Sequence, residues 1–73
     1  MPPKITKITV NGLDYKIYEY GSGGLYIFNV YRCGHPDVYL DYGDTYDDAE
    51  VIAIGDTQKR MKCDIVEIIG DSL

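Results

Sequence analysis

The segment YLDYGDTYDDAE, residues 39–50, holds the densest group of chemically active side chains in this chain. Its twelve residues include five carboxylates, with three tyrosines set between them. Carboxylates at this density can bind a divalent metal, imitate nucleic-acid phosphates toward a cationic protein, or stabilise the start of a helix. The carboxylates are Asp41, Asp44, Asp47, Asp48 and Glu50, and the tyrosines are Tyr39, Tyr42 and Tyr46.

The spacing of these carboxylates does not favour a metal site. A calcium-binding loop needs alternating carboxylates, a central glycine and a terminal glutamate, and this arrangement is absent from the sequence. A transition-metal site drawn from Cys33, His35 and Cys63 has three ligands, whereas a closed structural zinc site uses four. We therefore expect no metal and no cofactor. We also expect both thiols to be free in a reducing compartment.

The sequence does not predict a catalytic site either. Cys33 and His35 stand two residues apart in a turn, which is not the spatial dyad that thiolate activation requires. The glycines of 21–24 lack the lysine and the following helix of a phosphate-binding loop. We expect the protein not to be an enzyme. A small enzyme or metal-binding protein is an alternative that metal analysis and thiol titration would detect.

Charge and tyrosine content favour a protein-binding function. The formal net charge is −5, from 12 acidic and 7 basic residues. Direct binding to a nucleic-acid backbone needs the opposite sign, whereas a basic protein surface would be attracted. Eight tyrosines against one phenylalanine suit a contact surface, because tyrosine combines a large apolar area with a polar tip. The alternative is that the acidic residues form a solvated face and that the tyrosines pair across strands.

The length of 73 residues predicts one domain over residues 1–73. A chain of this size buries only about 60% of its unfolded surface, so its core is marginal and a partner or staple is common. No segment resembles a signal peptide or a membrane span. We expect a cytoplasmic protein, in the host cytoplasm if it is encoded by a phage.

Four strands are predicted in the first part of the chain. KITKITV (4–10) and LDYKIYEY (13–20) are separated by Asn-Gly alone, which is typical of a two-residue hairpin turn. GSGG then precedes LYIFNVYR (25–32), in which Leu25 and Ile27 share one face and Tyr26, Phe28 and Val30 the other. The turn CGHP leads to a shorter strand, DVYLDY (37–42).

A helix is predicted next, over about 46–62. Thr45 and Asp48 have the spacing of a capping box, and acidic residues in the first turn suit the helix dipole. Ala49, Ile52 and Ala53 can share a buried face. Gly55 opposes this interpretation, because glycine costs about 1 kcal/mol in a helix interior.

Three further features concern the end of the chain. The competing interpretation of the helical segment is a strand over 51–55. Lys59, Arg60 and Lys62 would suit the last turn of the helix. The run CDIVEII (63–69) is interpreted as a final strand.

These elements predict an α+β fold of order β-β-β-β-α-β. An antiparallel meander of about four strands carries one helix across one face, and the last strand joins the sheet. The arrangement follows because only the sheet is available to cover the apolar stripe of the helix.

The run GLYIFNVY…CG…GDTYDDAE resembles the HicB-like antitoxin domain, in which two strands lead through a turn to a helix start of the form GDT-x-EEA. Gly43-Asp44-Thr45 and Asp48-Ala49 stand at the matching positions, and the resemblance covers residues 25–54. It implies a partial ribonuclease H fold of order β-β-β-α-β and a function in blocking a small basic RNA-cleaving toxin. The extra first hairpin strand departs from that pattern. No DNA-binding segment follows the last strand, which puts autoregulation through DNA in doubt.

In size, charge and shape the chain also looks like the small acidic phage proteins that disarm host defence, anti-CRISPR proteins among them. Both resemblances imply an acidic module that occupies the basic surface of a nucleic-acid-handling protein or nuclease complex. The alternative is a structural or assembly protein, such as a virion component, that acts through self-association. A homodimer is compatible with either function. The predicted partner-binding residues are Asp41, Asp44, Asp47, Asp48, Tyr39, Tyr42 and Tyr46.

Overall fold

The computed structural model describes the backbone of residues 2–72 and the side chains of residues 2–62. Four strands form one antiparallel sheet in the order β1-β2-β3-β4, and a single helix follows them. The α+β class and the four-stranded meander are confirmed. The elements are β1 Lys4–Val10, β2 Leu13–Ser22, β3 Leu25–Arg32, β4 Val38–Gly43 and α1 Tyr46–Ser72.

Two-residue turns close the first two hairpins. Asn11 and Gly12 have φ angles of 51° and 81°, and Gly23 and Gly24 have 60° and 83°. Positive φ at both central residues defines the type I′ turn, whose twist matches that of the flanking strands. The Asn-Gly turn is as predicted. The second turn is tighter than predicted, so β2 continues to Ser22 instead of ending at residue 20.

The helix packs on one face of the sheet and leaves the other face open. Tyr15, Ile17, Phe28 and Val30 point toward the helix, each at most 7% exposed. The helix meets them with two fully buried alanines and the half-buried Ile52. Alanines at this contact allow the helix backbone to approach the sheet closely. The predicted buried face of the helix, Ala49, Ile52 and Ala53, is confirmed.

The start of the helix is fixed by a cap and by a glycine. The hydroxyl of Thr45 accepts a hydrogen bond from the backbone N–H of Asp48, with an N···O distance of 3.1 Å. Gly43 is buried, and a Cβ atom at this position would lie 2.5 Å from the Cβ of Asp48. The helix therefore comes directly off the end of β4. Residues 51–55 are helical, so the competing strand interpretation is wrong.

The predicted final strand over 63–69 is not supported, because α1 runs from Tyr46 to Ser72. Met61, Ile65 and Ile68 recur at intervals of four and three residues, which is the spacing of one face of a helix. A short apolar run of this kind is compatible with either a helix or a strand. No proline or glycine interrupts residues 56–69 to end the helix. The basic residues 59, 60 and 62 therefore lie inside the helix, and its last turn carries none.

Candidate protein-binding surfaces

The junction of β4 with the helix gathers the predicted acidic residues. Asp41 lies near the end of β4, Asp44 lies in the connection, and Asp47 and Asp48 occupy the first helical turn. All four are exposed. Asp41, Asp44 and Asp48 line one shallow depression together with Tyr42, Val51 and Ile52. We call the four aspartates the acidic corner.

Three aspartates elsewhere in the protein are matched to cations, whereas Glu19 and Glu50 have no ion pair among residues 2–62. Asp14 lies 3.7 Å from Lys7, and Asp37 lies 2.9 Å from Lys16. Asp56 binds Arg32 through two nitrogens of its guanidinium group. Among residues 2–62, no basic side chain lies within ion-pair distance of the acidic corner. The corner is thus a concentration of negative charge that the rest of the described chain does not neutralise.

Hydrogen bonds and nearby cations lower the pKa values of the three matched carboxylates. A hydrogen bond from Thr9 and the charge of Lys7 lower the pKa of Asp14. The backbone N–H of Gly34 and the ammonium group of Lys16 lower the pKa of Asp37. The guanidinium group of Arg32 lowers that of Asp56 against the opposing effect of burial.

The three predicted tyrosines do not share one environment. Tyr39 and Tyr42 are 50% and 57% exposed on the open face of the sheet. Burial raises the pKa of Tyr39, and the charge of nearby Asp41 adds to the rise. Tyr46 instead packs edge-on against Phe28, with ring centroids 6.3 Å apart, and belongs to the layer between helix and sheet. Tyr42 therefore adjoins the acidic corner, whereas Tyr46 is mainly a core residue.

Two further acidic residues, Glu19 and Asp37, lie outside the acidic corner. Glu19 pairs across strands with Phe28 and so lies on the helix side of β2. Asp37 is held by Lys16 and by the backbone N–H of Gly34. Asp41 and Asp44 are joined by the first helical turn, and the acidic surface is confined to that end of the molecule.

A second surface covers the open face of the sheet. The ring centroids of Tyr18 and Tyr31 are 5.0 Å apart, and those of Tyr31 and Tyr39 are 5.4 Å apart. Tyr20 stacks beside Tyr18 at 6.5 Å, so the rings form a continuous row across three strands. We call this surface the tyrosine face. It consists of Ile5, Tyr18, Tyr20, Leu25, Ile27, Tyr31, Tyr39 and Tyr42.

The sequence predicts the tyrosine face only in part. Both faces of β2 and β3 carry aromatic or aliphatic residues at alternate positions. This pattern predicts two apolar faces of the sheet, but it does not indicate which face the helix covers. The sequence does not place Tyr31 opposite Tyr39, because the register of β3 and β4 shifts between Val30 and Tyr31.

A polar cluster links the sheet to the middle of the helix, and sequence analysis did not identify it. The hydroxyl of fully buried Tyr15 donates to Asp56 at 2.9 Å and lies 2.8 Å from the hydroxyl of Thr57. Arg32 binds the same carboxylate, and Arg60 approaches it at 4.0 Å. Because these groups satisfy one another, the cluster orients the helix on the sheet.

Among residues 2–62, no three histidine, cysteine, aspartate or glutamate side chains are grouped to hold a metal ion. Cys33 and His35 lie in the turn before β4, and the side chain of Cys63 lies outside the described residues. No helix in the described part of the chain has the length and apolarity needed to cross a membrane.

Comparison of the chain with protein-family models, with curated proteins and with solved structures finds no match. The acidic corner and the tyrosine face are therefore the features of this chain that indicate a function.

Proposed function

We propose that the protein is an inhibitor that places its acidic corner on the basic surface of a nucleic-acid-handling protein, such as a nuclease complex or an RNA-cleaving toxin. The observation that carries the proposal is the grouping of four exposed aspartates at one end of the molecule, without a cationic partner among residues 2–62. Asp14, Asp37 and Asp56 have cationic partners, whereas the four aspartates of the corner have none among the described residues.

The corner has the composition of a surface that replaces phosphates. Its carboxylates are acceptors for the side chains of arginine and lysine. The net charge of −5 attracts a basic partner over distance and repels nucleic acid. The protein would then exclude nucleic acid from its partner by occupying the same site.

Helix capping explains part of the acidic corner without a partner. Asp47 and Asp48 lie in the first turn, where the helix dipole favours negative charge. Asp41 and Asp44 precede the helix, so capping does not account for them. They are the residues whose substitution separates the two explanations.

The experiment compares three tagged proteins in a nuclease-treated lysate of the host at about 50 and about 500 mM salt. The first is the wild type, and the second carries Asp41→Asn with Asp44→Asn. The third carries Ser22→Lys with Gln58→Lys at exposed positions away from the corner. Both variants make the net charge of −5 less negative by two units, the first by removing two carboxylates from the corner and the second by adding two lysines elsewhere.

The proposal is supported if the wild type captures a nucleic-acid-binding protein at low salt and loses it at high salt. The Lys variant should still capture this protein, and the Asn variant should not. Equal loss with both variants would show that only the overall charge matters. Capture that survives the Asn variant would contradict the role of the acidic corner.

The alternative function is structural, as an assembly component. The tyrosine face favours it, because a large exposed apolar surface is typical of a protein that contacts another protein. Self-association into an open polymer, with no captured partner, would replace inhibition as the proposed function.

A further inference from the structure

We propose that the tyrosine face is the interface of a homodimer, in which two sheets pack face to face and the two helices lie outside. The occupant of the face is a second copy of this chain. This inference uses a different surface from the acidic corner and does not depend on the inhibitory function.

The apolar area of the face approaches that of a dimer interface. Ile5, Ile27 and Tyr39 are 54%, 46% and 50% exposed, and Tyr20 and Tyr42 are similar at 43% and 57%. Leu25, at the end of the face, is 79% exposed. A large side chain that buries about 150–250 Å² when packed leaves on the order of 100 Å² at half exposure. The six together expose roughly 500–600 Å², against about 800 Å² per partner in a standard interface, where polar residues contribute the remainder.

Charge identifies a second copy as the best partner for this face. Its two cations, Lys7 and Lys16, are bound to Asp14 and Asp37 at the same end of the sheet. These four charges sum to zero, so the net charge of −5 is carried by the rest of the chain. A basic partner would be drawn to the acidic corner instead. Two identical acidic proteins repel each other least when they meet through a surface without net charge, and the tyrosine face is such a surface.

The small core gives a further reason for a dimer. The buried apolar residues among positions 2–62 are six, and two of them are alanines. One antiparallel sheet covered by a helix on one side normally has a polar outer face, whereas this one carries a row of tyrosine rings. Face-to-face packing of two such sheets at about 10 Å would give each copy a second apolar layer.

Single-stranded nucleic acid is the other class of ligand that stacks on tyrosine rings. Such surfaces combine aromatic rings with a groove of unpaired cations that follows the backbone. Both cations of this face are already paired with carboxylates. The observations therefore favour a protein partner, and nucleic-acid binding becomes one outcome of the test.

The test is sedimentation equilibrium of the purified full chain from about 1 to 300 μM, at about 50 and about 500 mM salt. The disrupting variant is Ile27→Glu, which places a charge in the face. The matched control is Ile54→Glu on the outer side of the helix, where the side chain is 42% exposed against 46% for Ile27. Both variants exchange one isoleucine for one glutamate. A polyuridine oligonucleotide is titrated in parallel.

We expect a mass that rises toward twice 8.2 kDa, with a dissociation constant unchanged or lower at high salt, because salt screens the repulsion between copies. Ile27→Glu should raise that constant at least tenfold and Ile54→Glu should leave it unchanged. A monomer at every concentration, a dimer unaffected by Ile27→Glu, or oligonucleotide binding by a monomer would overturn the inference.

A second variant guards against misfolding of the first. Ile5→Glu lies on the edge strand β1, where charged residues are well tolerated, and its side chain is 54% exposed. Loss of dimer by Ile5→Glu with an unchanged circular dichroism spectrum supports the interface. Capture of a partner by the acidic corner should persist in this variant, so failure of the dimer and failure of the proposed inhibition can be told apart.

Discussion

At the scale of single residues, the buried hydroxyl of Tyr15 determines how the helix meets the sheet. Asp56 and Thr57 form hydrogen bonds with this hydroxyl from the helix, and the guanidinium group of Arg32 neutralises the charge of Asp56. The sequence separates Tyr15 from Asp56 by 41 positions, and no local pattern signals that they meet. Tyr15 looked like any other strand tyrosine. Long-range polar pairs of this kind depend on helix placement and cannot be found from spacing alone.

Asp56→Ala should lower the free energy of unfolding by about 1.5–3 kcal/mol. The substitution leaves Arg32 without its carboxylate and the Tyr15 hydroxyl with one partner fewer, and hydrogen bonds to charged groups have this magnitude. Urea denaturation measures the effect. Glu50→Gln, at an exposed helical position, is the control and should change the free energy by no more than about 0.5 kcal/mol. A midpoint for Asp56→Ala equal to that of the control would show that the cluster is dispensable.

The pH dependence of stability should follow the same carboxylate. Arg32 holds the folded-state pKa of Asp56 below the ordinary value of an aspartate. A depressed folded-state pKa stabilises the fold above the unfolded-state pKa, and this stability is lost as pH falls through the folded-state value. Thermal unfolding from pH 7 to pH 2 should therefore show a steep loss of melting temperature below about pH 4 in the wild type. Asp56→Asn should show a smaller loss over that interval, and parallel curves would contradict the assignment.

At the scale of elements, turns and caps were predictable because they depend on neighbouring residues. Asn11-Gly12 and Thr45 lie where the sequence placed them. The end of the helix was not predictable, because the apolar run after residue 62 suits both the helical and the strand periodicity. No glycine or proline lies between Gly55 and Gly70 to mark an end. The basic residues that resembled a last turn include Arg60, which lies 4.0 Å from Asp56 one turn earlier in the same helix.

Thr45→Ala should reduce the free energy of unfolding by about 1 kcal/mol, because the backbone N–H of Asp48 loses its acceptor. Thr45→Ser keeps the hydroxyl and should stay close to the wild type. Chemical denaturation of the three proteins under identical conditions provides the comparison. Equal stability of the Ala and Ser variants would mean that water replaces the cap without loss.

Two glycine substitutions should have opposite effects. Gly43→Ala should destabilise by about 1–3 kcal/mol, because the added Cβ would lie 2.5 Å from the Cβ of Asp48 and the helix would have to shift. Gly55→Ala should stabilise by about 0.5–1 kcal/mol, because the position is inside the helix and has no neighbour within 4 Å. Melting temperatures of the two variants test both statements, and destabilisation by Gly55→Ala would contradict the described packing of the helix.

At the scale of the whole molecule, charge and apolar area are divided between separate surfaces. The sequence indicated acidic and tyrosine-rich contacts as one mixed surface, because the two residue types alternate along residues 39–50. Folding separates them, since alternate positions of a strand point to opposite faces. Tyr39 faces the open side, and Tyr46 turns to Phe28. This separation would allow one face to bind a second copy while the acidic corner binds a basic partner.

The most direct test of the inhibitory function is displacement of nucleic acid from the protein that the wild type captures. That protein is purified and loaded with a fluorescent oligonucleotide that it binds, and the chain is added while anisotropy is recorded. We expect complete displacement by the wild type and by the Ser22→Lys, Gln58→Lys control, and at least tenfold weaker displacement by the Asp41→Asn, Asp44→Asn variant. Binding of the wild type to the loaded complex without release of the oligonucleotide would contradict the claim that the acidic corner occupies the nucleic-acid site.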